Sequence, residues 1–364
     1  MTCASVLLAV CGVASAAWEL NMPKGVTEIS REVYSLHMLI FWICVVIGIG
    51  VFGVMFYSIL KHRKSKGHEA AQFHESTTVE IAWTIVPFLI LIGMAIPATQ
   101  TLIAMEDTSG ADLTIKVTGY QWKWEYEYID EGISFFSNLS TPREQIENLA
   151  AKGENYLLEV DNPVVVPVNK KVRFLITAND VIHSWWVPNL AVKKDAIPGF
   201  INEAWTRIEQ PGTYRGQCTE LCGKDHGFMP VVVVALEEQA YQTWMQERRA
   251  EKEAALLASG KDWPMPDLMA KGEKVYQKNC AACHKADGTG MKGVFPAIAG
   301  SALATGPIAG HLDIVMAGKP GTAMQGFAPQ LSDLDLAAVI TYQRNAFGNN
   351  TGDVVQPKDI KAAR

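Results

Sequence analysis

CTELCGKDHGFM, Cys218 to Met229, sets two cysteines, a histidine, a methionine and acidic residues into one short run. Such soft and borderline donors suit zinc, iron or copper, and the same residues also fit a disulfide beside a turn. The flanks narrow the choice. GTYRGQC (Gly212–Cys218) leads into the run and MPVVVVALE (Met229–Glu237) leaves it, so the run is a loop between two strands. Further upstream, LTIKVTGYQWKWEYEY (Leu113–Tyr128) and YLLEVDNPVVVPVNKKVRFLITAND (Tyr156–Asp180) alternate with period two between Gly, Pro and Asn breaks. Residues 107–237 therefore read as an all-β sandwich or Greek-key barrel.

The chain around this sandwich is long and mixed. Its 364 residues allow two or three domains, and with a net charge of −6 and an ordinary balance of acids and bases nothing points to a nucleic-acid partner. Residues 1–17 pair an apolar core with the small residues Ala14, Ser15 and Ala16, the pattern of a signal peptide. Cys11 only weakly resembles a lipoprotein site. In the segment 18–106, the uncharged stretches 38–60 and 81–105 each exceed the ~20 residues that cross a bilayer core. The lysine- and arginine-rich Lys61–Glu69 between them sets that loop inside the cell and both termini outside. Residues 238–263 form a charged helical linker, 264–349 a Gly-rich helical domain, and 350–364 a loosely ordered tail.

In the helical domain, CAACH (Cys280–His284) has the spacing of c-type haem attachment. Cys280 and Cys283 supply two thioethers one helical turn apart, and His284 is placed to ligate iron. A redox dithiol or half a zinc site needs no histidine there. A low-spin carrier needs a sixth ligand. Met291 lies too near His284, and Met316 sits in an apolar helix, so Met324 on the loop GKPGTAMQGFA (Gly318–Ala328) is the expected axial ligand.

The cysteine-rich loop now reads as copper. Two thiols four residues apart bridge two metal ions. His183 in NDVIHSWWVPNL, thirty-five residues before Cys218, supplies a second imidazole. His183, Cys218, Cys222, His226 and Met229, with the backbone carbonyl of Glu220, complete two coordination shells. Zinc requires no methionine, and a disulfide leaves the other donors incidental.

At this point the chain resembles subunit II of haem–copper cytochrome c oxidases, of the kind carrying a fused class I cytochrome c domain. The likeness rests on VEIAWTIVPFLILIGMAIP (79–97), GYQWKWEYEY (119–128), NDVIHSWWVP (179–188), AVKKDAIPG (191–199) and the copper loop. The resemblance implies a multidomain membrane protein: a two-helix transmembrane hairpin, an all-β cupredoxin domain and an all-α cytochrome c domain. It implies that the named residues hold a dinuclear copper centre, CuA, and that the Glu220 side chain reaches magnesium or manganese at the boundary with subunit I. It makes Trp122 the electron-entry residue and Glu80 the mouth of a proton pathway belonging to subunit I.

The implied function is electron input to a terminal oxidase of the bacterial inner membrane. An electron passes from a donor, cytochrome c or another, through haem c and CuA to haem in subunit I, where oxygen is reduced to water with proton translocation. Subunits I and III and the lipid bilayer are the implied partners. Asp107–Glu237 carries 12 Lys/Arg against 18 Asp/Glu, and Pro264–Arg364 carries 10 against 8, opposite signs that favour encounter. A CuA-bearing nitric oxide reductase subunit shares these features. A nitrous oxide reductase requires a propeller repeat that is not visible in this sequence, and a membrane-tethered copper chaperone requires no haem.

Overall fold

The computed structural model describes residues 21–364 apart from 68, 70, 71 and 73, so the expected signal peptide lies outside the described residues. The chain divides into two compact units, Met1–Tyr241 and Gln242–Arg364.

The first unit opens with α1 (Glu28–Lys61) and α2 (Thr77–Glu106), which contain the two expected spans. At ~1.5 Å per residue they are ~51 and ~45 Å long, more than a hydrocarbon core requires. Side chains such as Val46, Phe52, Phe88 and Leu91 point outward, as they do when lipid rather than protein is the solvent. Pro87 and Pro97 are both accommodated inside α2. The outer ends of the hairpin are pinned to the sandwich. Thr27 caps α1 in a reciprocal pair with Ser30, and its hydroxyl also donates to the Leu190 carbonyl. Arg31 forms a two-pronged ion pair with Glu209, and Trp205 Nε1 donates to the Ala104 carbonyl near the end of α2.

The sandwich has two five-stranded sheets. One runs β3 (Ile133–Ser137), β2 (Lys123–Tyr128), β1 (Leu113–Tyr120), β5 (Val172–Ala178), β8 (Asn202–Thr206), and a short α3 (Arg143–Ile146) follows β3 in the chain. The other runs β4 (Val164–Pro167), β10 (Pro230–Leu236), β9 (Gly212–Cys218), β6 (His183–Val187), β7 (Val192–Ala196). Parallel pairings of β1 with β5 and of β4 with β10 sit among antiparallel ones, as the cupredoxin-like reading requires. Trp124, Tyr126, Phe174 and Trp185 fill the space between the sheets. The polar ends of two aromatics are satisfied across it: Tyr128 Oη donates to the Val165 carbonyl, and Trp185 Nε1 donates to Tyr126 Oη. These bonds hold the sheets at one separation, because a buried polar group without a partner is costly.

Four strands lie outside the expected alternating stretches, β3, β6, β7 and β8, and three of them, β3, β7 and β8, are sheet edges. Edge strands are short and charged to resist pairing with another chain, which erases the alternation; Lys193, Lys194 and Asp195 of β7 are an example. Conversely, the segment Tyr156–Val160 at the head of an expected strand begins in a turn and carries only a single bridge, from Val160 to Leu139.

From α4 (Glu238–Ser259) the chain continues into the second unit: α5 (Met265–Asn279), α6 (Ala281–His284), α7 (Ala302–Thr305), α8 (Ile308–Ala317), α9 (Asp333–Asn345) and α10 (Pro357–Ala363). Helices α5 and α9 cross at Gly272. A Cβ there would stand 2.1 Å from the Ala338 carbonyl oxygen and 2.6 Å from Tyr342 Cβ. Gly272→Val is therefore expected to destabilise this unit by about 3 kcal/mol, since backbone cannot yield as a side chain can. Denaturant unfolding followed at the haem absorbance checks it; an unchanged midpoint would show that the crossing is looser than described.

The segment after Asn349 differs from the expected loose tail. Val355 and Ile360 are fully buried, α10 begins with a reciprocal Gln356–Asp359 cap, and Asp353 pairs with the buried guanidinium of Arg344. Polar sequence concealed this order: its few apolar side chains are the ones that complete the core beside α9.

Candidate metal and haem sites

The copper-loop residues come from three strand ends. His183 is the first residue of β6, Cys218 the last of β9, and Met229 immediately precedes β10. Ladder pairing places Trp185 opposite Cys218, and the loop is closed by Cys218 N–H to the Met229 carbonyl and Thr219 N–H to the Ser184 carbonyl. Gly119 at the end of β1 leaves room for the imidazole, because a Cβ there would meet His183 Cδ2 at 2.8 Å.

Within this frame a ring nitrogen of His183 and the sulfurs of Cys218 and Cys222 all lie within 4.8 Å of one another, and all three residues are buried. The two sulfurs are 3.8 Å apart, far beyond the ~2.05 Å of a disulfide. Cys218 Sγ is 3.9 Å from His183 Nδ1 and 3.4 Å from the Glu220 carbonyl, while Cys222 Sγ is 3.4 Å from His226 Nδ1. Met229 is 1% exposed. Two imidazoles thus flank two sulfurs, one on each side.

The electrostatics of this group fit a bound cation. The hydrogen bond from Cys222 draws the Cys218 thiol well below its ordinary acidity range, and the same contact pushes Cys222 up. Burial alone would lower the pKa of His183, but hydrogen bonds to Asp180 and Cys218 prevail and raise it. A dinuclear copper cation supplies the charge that two thiolates require. This donor set of thiolate, imidazole and thioether suits that metal.

Trp122 lies in the turn between β1 and β2. Its indole Nε1 donates to the Cys222 carbonyl at 3.1 Å, and Gln121 Nε2 donates to the same oxygen at 2.8 Å. The side chain of Glu220 is exposed. Glu80 stands apart from all of these: it is exposed in the first turn of α2, ~36 Å along the helix from Ala104, where α2 meets the sandwich.

In the second unit, α5 ends at Asn279 and the short α6 presents Cys280, Cys283 and His284. Both cysteines are half-buried. His284 Nδ1 is 2.8 Å from the Pro296 carbonyl, which takes the Nδ1 proton and leaves Nε2 as the lone-pair nitrogen for iron. Met324 and Cys280 pack against one apolar cluster that includes Tyr276 and Phe327. The Met324 loop is held by Lys319 N–H to its carbonyl and by its own N–H to Thr322 Oγ1. Met316 is buried in the core and Met291 is exposed. These residues fit a covalent haem. Spacing alone missed Asp180, 2.9 Å from His183 Nε2, and Gln343, whose Nε2 is 3.7 Å from Cys280 Sγ while its Oε1 meets the buried His311. Only the position of Asp180 three residues before His183 was a hint.

Three family models match successive parts of the chain. They are described as cytochrome c oxidase subunit II, transmembrane domain (residues 15–101), cytochrome c oxidase subunit II, periplasmic domain (113–236), and cytochrome c oxidase, cbb3-type, subunit III (267–342). The "Probable cytochrome c oxidase subunit 2" of Rickettsia bellii is 38% identical over 231 residues, covering 64% of this chain and 84% of that protein. The cytochrome c oxidase subunit 2 of Cereibacter sphaeroides is 38% identical over 236 residues, 61% of this chain and 78% of its own. Among solved structures, the periplasmic domain of subunit II of cytochrome oxidase from Bradyrhizobium japonicum is 41% identical. It spans 40% of this chain and 98% of its own, at a TM-score of 0.36. With the two apolar helices and the sandwich matched in series and most of these relatives' length covered, this chain belongs to the cytochrome c oxidase subunit II family and carries a cytochrome c-type domain behind its periplasmic one.

Proposed function

We propose that the chain is the electron-input subunit of an oxygen-reducing terminal oxidase in a bacterial inner membrane. Haem c is held by Cys280, Cys283, His284 and Met324, and CuA by His183, Cys218, Cys222, His226, Met229 and the Glu220 carbonyl. When bound, these two centres supply one-electron transfer from a donor toward haem in subunit I, where oxygen becomes water and protons are translocated. The observation that carries the reading is the convergence of His183, Cys218 and Cys222 beneath an indole that donates to the Cys222 carbonyl.

The protein's own contribution is rigidity. Ligands anchored at the ends of β6, β9 and β10 need little movement when charge arrives, because the cross-sheet aromatics hold those ends apart. Trp122 gives a hydrogen-bonded route from a half-buried ring to the Cys222 backbone. The exposed carboxylate of Glu220 is available to magnesium or manganese at the boundary with subunit I, and Glu80, at the far end of α2, to proton uptake there. Covalent connection of the two redox domains replaces a bimolecular encounter between them with an intramolecular one.

The test is the full chain in detergent, matured with haem and loaded with copper. One unpaired electron shared by two coppers, beside a low-spin His/Met haem, is the expected EPR result. A single-copper signal beside intact haem would sink the dinuclear assignment.

A further inference from the structure

One carboxylate touches both halves of the copper region. Asp180 sits in the turn between β5 and β6, its side chain one-fifth exposed. Its Oδ1 lies 2.9 Å from His183 Nε2 and accepts from Val181 N–H at 2.7 Å. Its Oδ2 accepts from the backbone N–H of Gln121 at 2.7 Å. Gln121 and Trp122 then donate side by side to the Cys222 carbonyl. The contacts close into a ring: Asp180, His183, Cys218, Cys222, Gln121 and back to Asp180, with Trp122 seated on it.

We propose that Asp180 is a positioning residue that couples ligand geometry to electron entry. One oxygen sets the tautomer and plane of His183; the other seats the Gln121–Trp122 turn on the copper loop. The inference rests on the reading that His183 and Cys222 hold copper.

The chemistry follows from donor counting. His183 Nε2–H, Val181 N–H and Gln121 N–H are three donors, and only an ionised carboxylate offers acceptor sites on both sides of one planar group. With the Nε2 proton held by Asp180, the Nδ1 lone pair faces Cys218. A carboxylate behind a ligating imidazole orients it and raises its basicity. Because both oxygens belong to one rigid group, rotation that loosens His183 also loosens Gln121. Tightening of the ring around a metal is transmitted to the indole. A second tie keeps the turn in place: Asn179 N–H donates to the Gly119 carbonyl, beside the glycine that makes room for the His183 ring.

Asp180→Asn breaks the ring at its hub. The amide keeps one acceptor oxygen and turns an NH2 toward a donor, and because the group is planar and rigid, the rotation that relieves this clash loosens both His183 and Gln121. In the full, haem-matured chain in detergent, the variant is expected to lose roughly 10–100-fold in copper affinity, measured by chelator competition, with a changed copper EPR signature. It is also expected to speed solvent exchange of the Trp122 indole proton, read by NMR after 15N-tryptophan labelling and assigned with Trp122→Phe. Gln121→Ala is expected to speed the same exchange.

Unchanged indole exchange in Asp180→Asn would mean the carboxylate serves His183 alone, and the coupling is wrong. Unchanged copper affinity and EPR would overturn it from the other side. A wild-type chain with no dinuclear signal overturns the copper reading and this coupling with it. That failure is distinct, because it shows in the unmutated protein. Should Asp180→Asn not fold, Asp180→Glu carries the same readouts with the charge kept and the carboxylate displaced by one methylene.

Discussion

Cys222→Ser is expected to abolish the dinuclear copper signal and leave the haem untouched. The serine hydroxyl is nearly isosteric but stays protonated at neutral pH, so it cannot supply the second bridging anion. Cys222 is also the sulfur that stands 3.4 Å from His226 Nδ1 and whose carbonyl receives both Trp122 and Gln121. Its replacement would remove one of the two thiolates proposed to hold the coppers and take the sulfur away from His226, while the backbone carbonyl remains. Copper stoichiometry should fall from two to one or none per chain, measured by metal analysis after gel filtration, and the shared-electron EPR pattern should vanish. Two coppers still bound with an unchanged spectrum would refute Cys222 as a bridging ligand. The variant should stay folded, because Cys222 lies in the loop after β9, outside the aromatic layer between the sheets.

Met324→Ala is the second large effect. The thioethers from Cys280 and Cys283 do not depend on Met324, so covalent haem content should be unchanged. On the proposed ligation the iron would lose its thioether ligand, and because methionine with histidine raises the potential of such a haem, the reduction potential should fall. The spectrum should move from low-spin to high-spin or to a replacement ligand. Optical redox titration checks both. Met316→Leu and Met291→Leu are the controls: the first removes a buried core side chain, the second an exposed one, and neither should change the iron's ligation. If Met316→Leu produced the ligation change instead, the loop assignment would be overturned.

Much of this molecule is legible in linear patterns. A helix long and apolar enough to span a membrane is a property of consecutive residues, so both spans could be read before any packing was known. CAACH and the loop Cys218–Met229 are legible because their donors sit within one or two turns of chain. His183 required only that a histidine precede a strand. The order of hairpin, sandwich and cytochrome domain followed from changes in period along the chain.

Other features depend on residues far apart in sequence. Edge strands β3, β7 and β8 hide in charged or broken segments because their stability comes from a neighbour's ladder rather than their own pattern. The residues after Asn349 look polar, yet Arg344 and the cluster beside α9 hold them in place. The free state of Cys218 and Cys222, with sulfurs too distant for a bond, is likewise a matter of loop geometry.

Composition and short-range period suffice to fix which donor side chains the chain carries, which segments are long and apolar enough to cross a membrane, and in what order the domains come. Packing across the sheets is what brings Asp180 to face both His183 and the Gln121–Trp122 turn, and what lets Gly119 leave the space His183 occupies. Asp180 and Gln121 are 59 residues apart, and they meet because β1 pairs with β5 in one register. A shift of that register by one residue would turn each side chain to the opposite face.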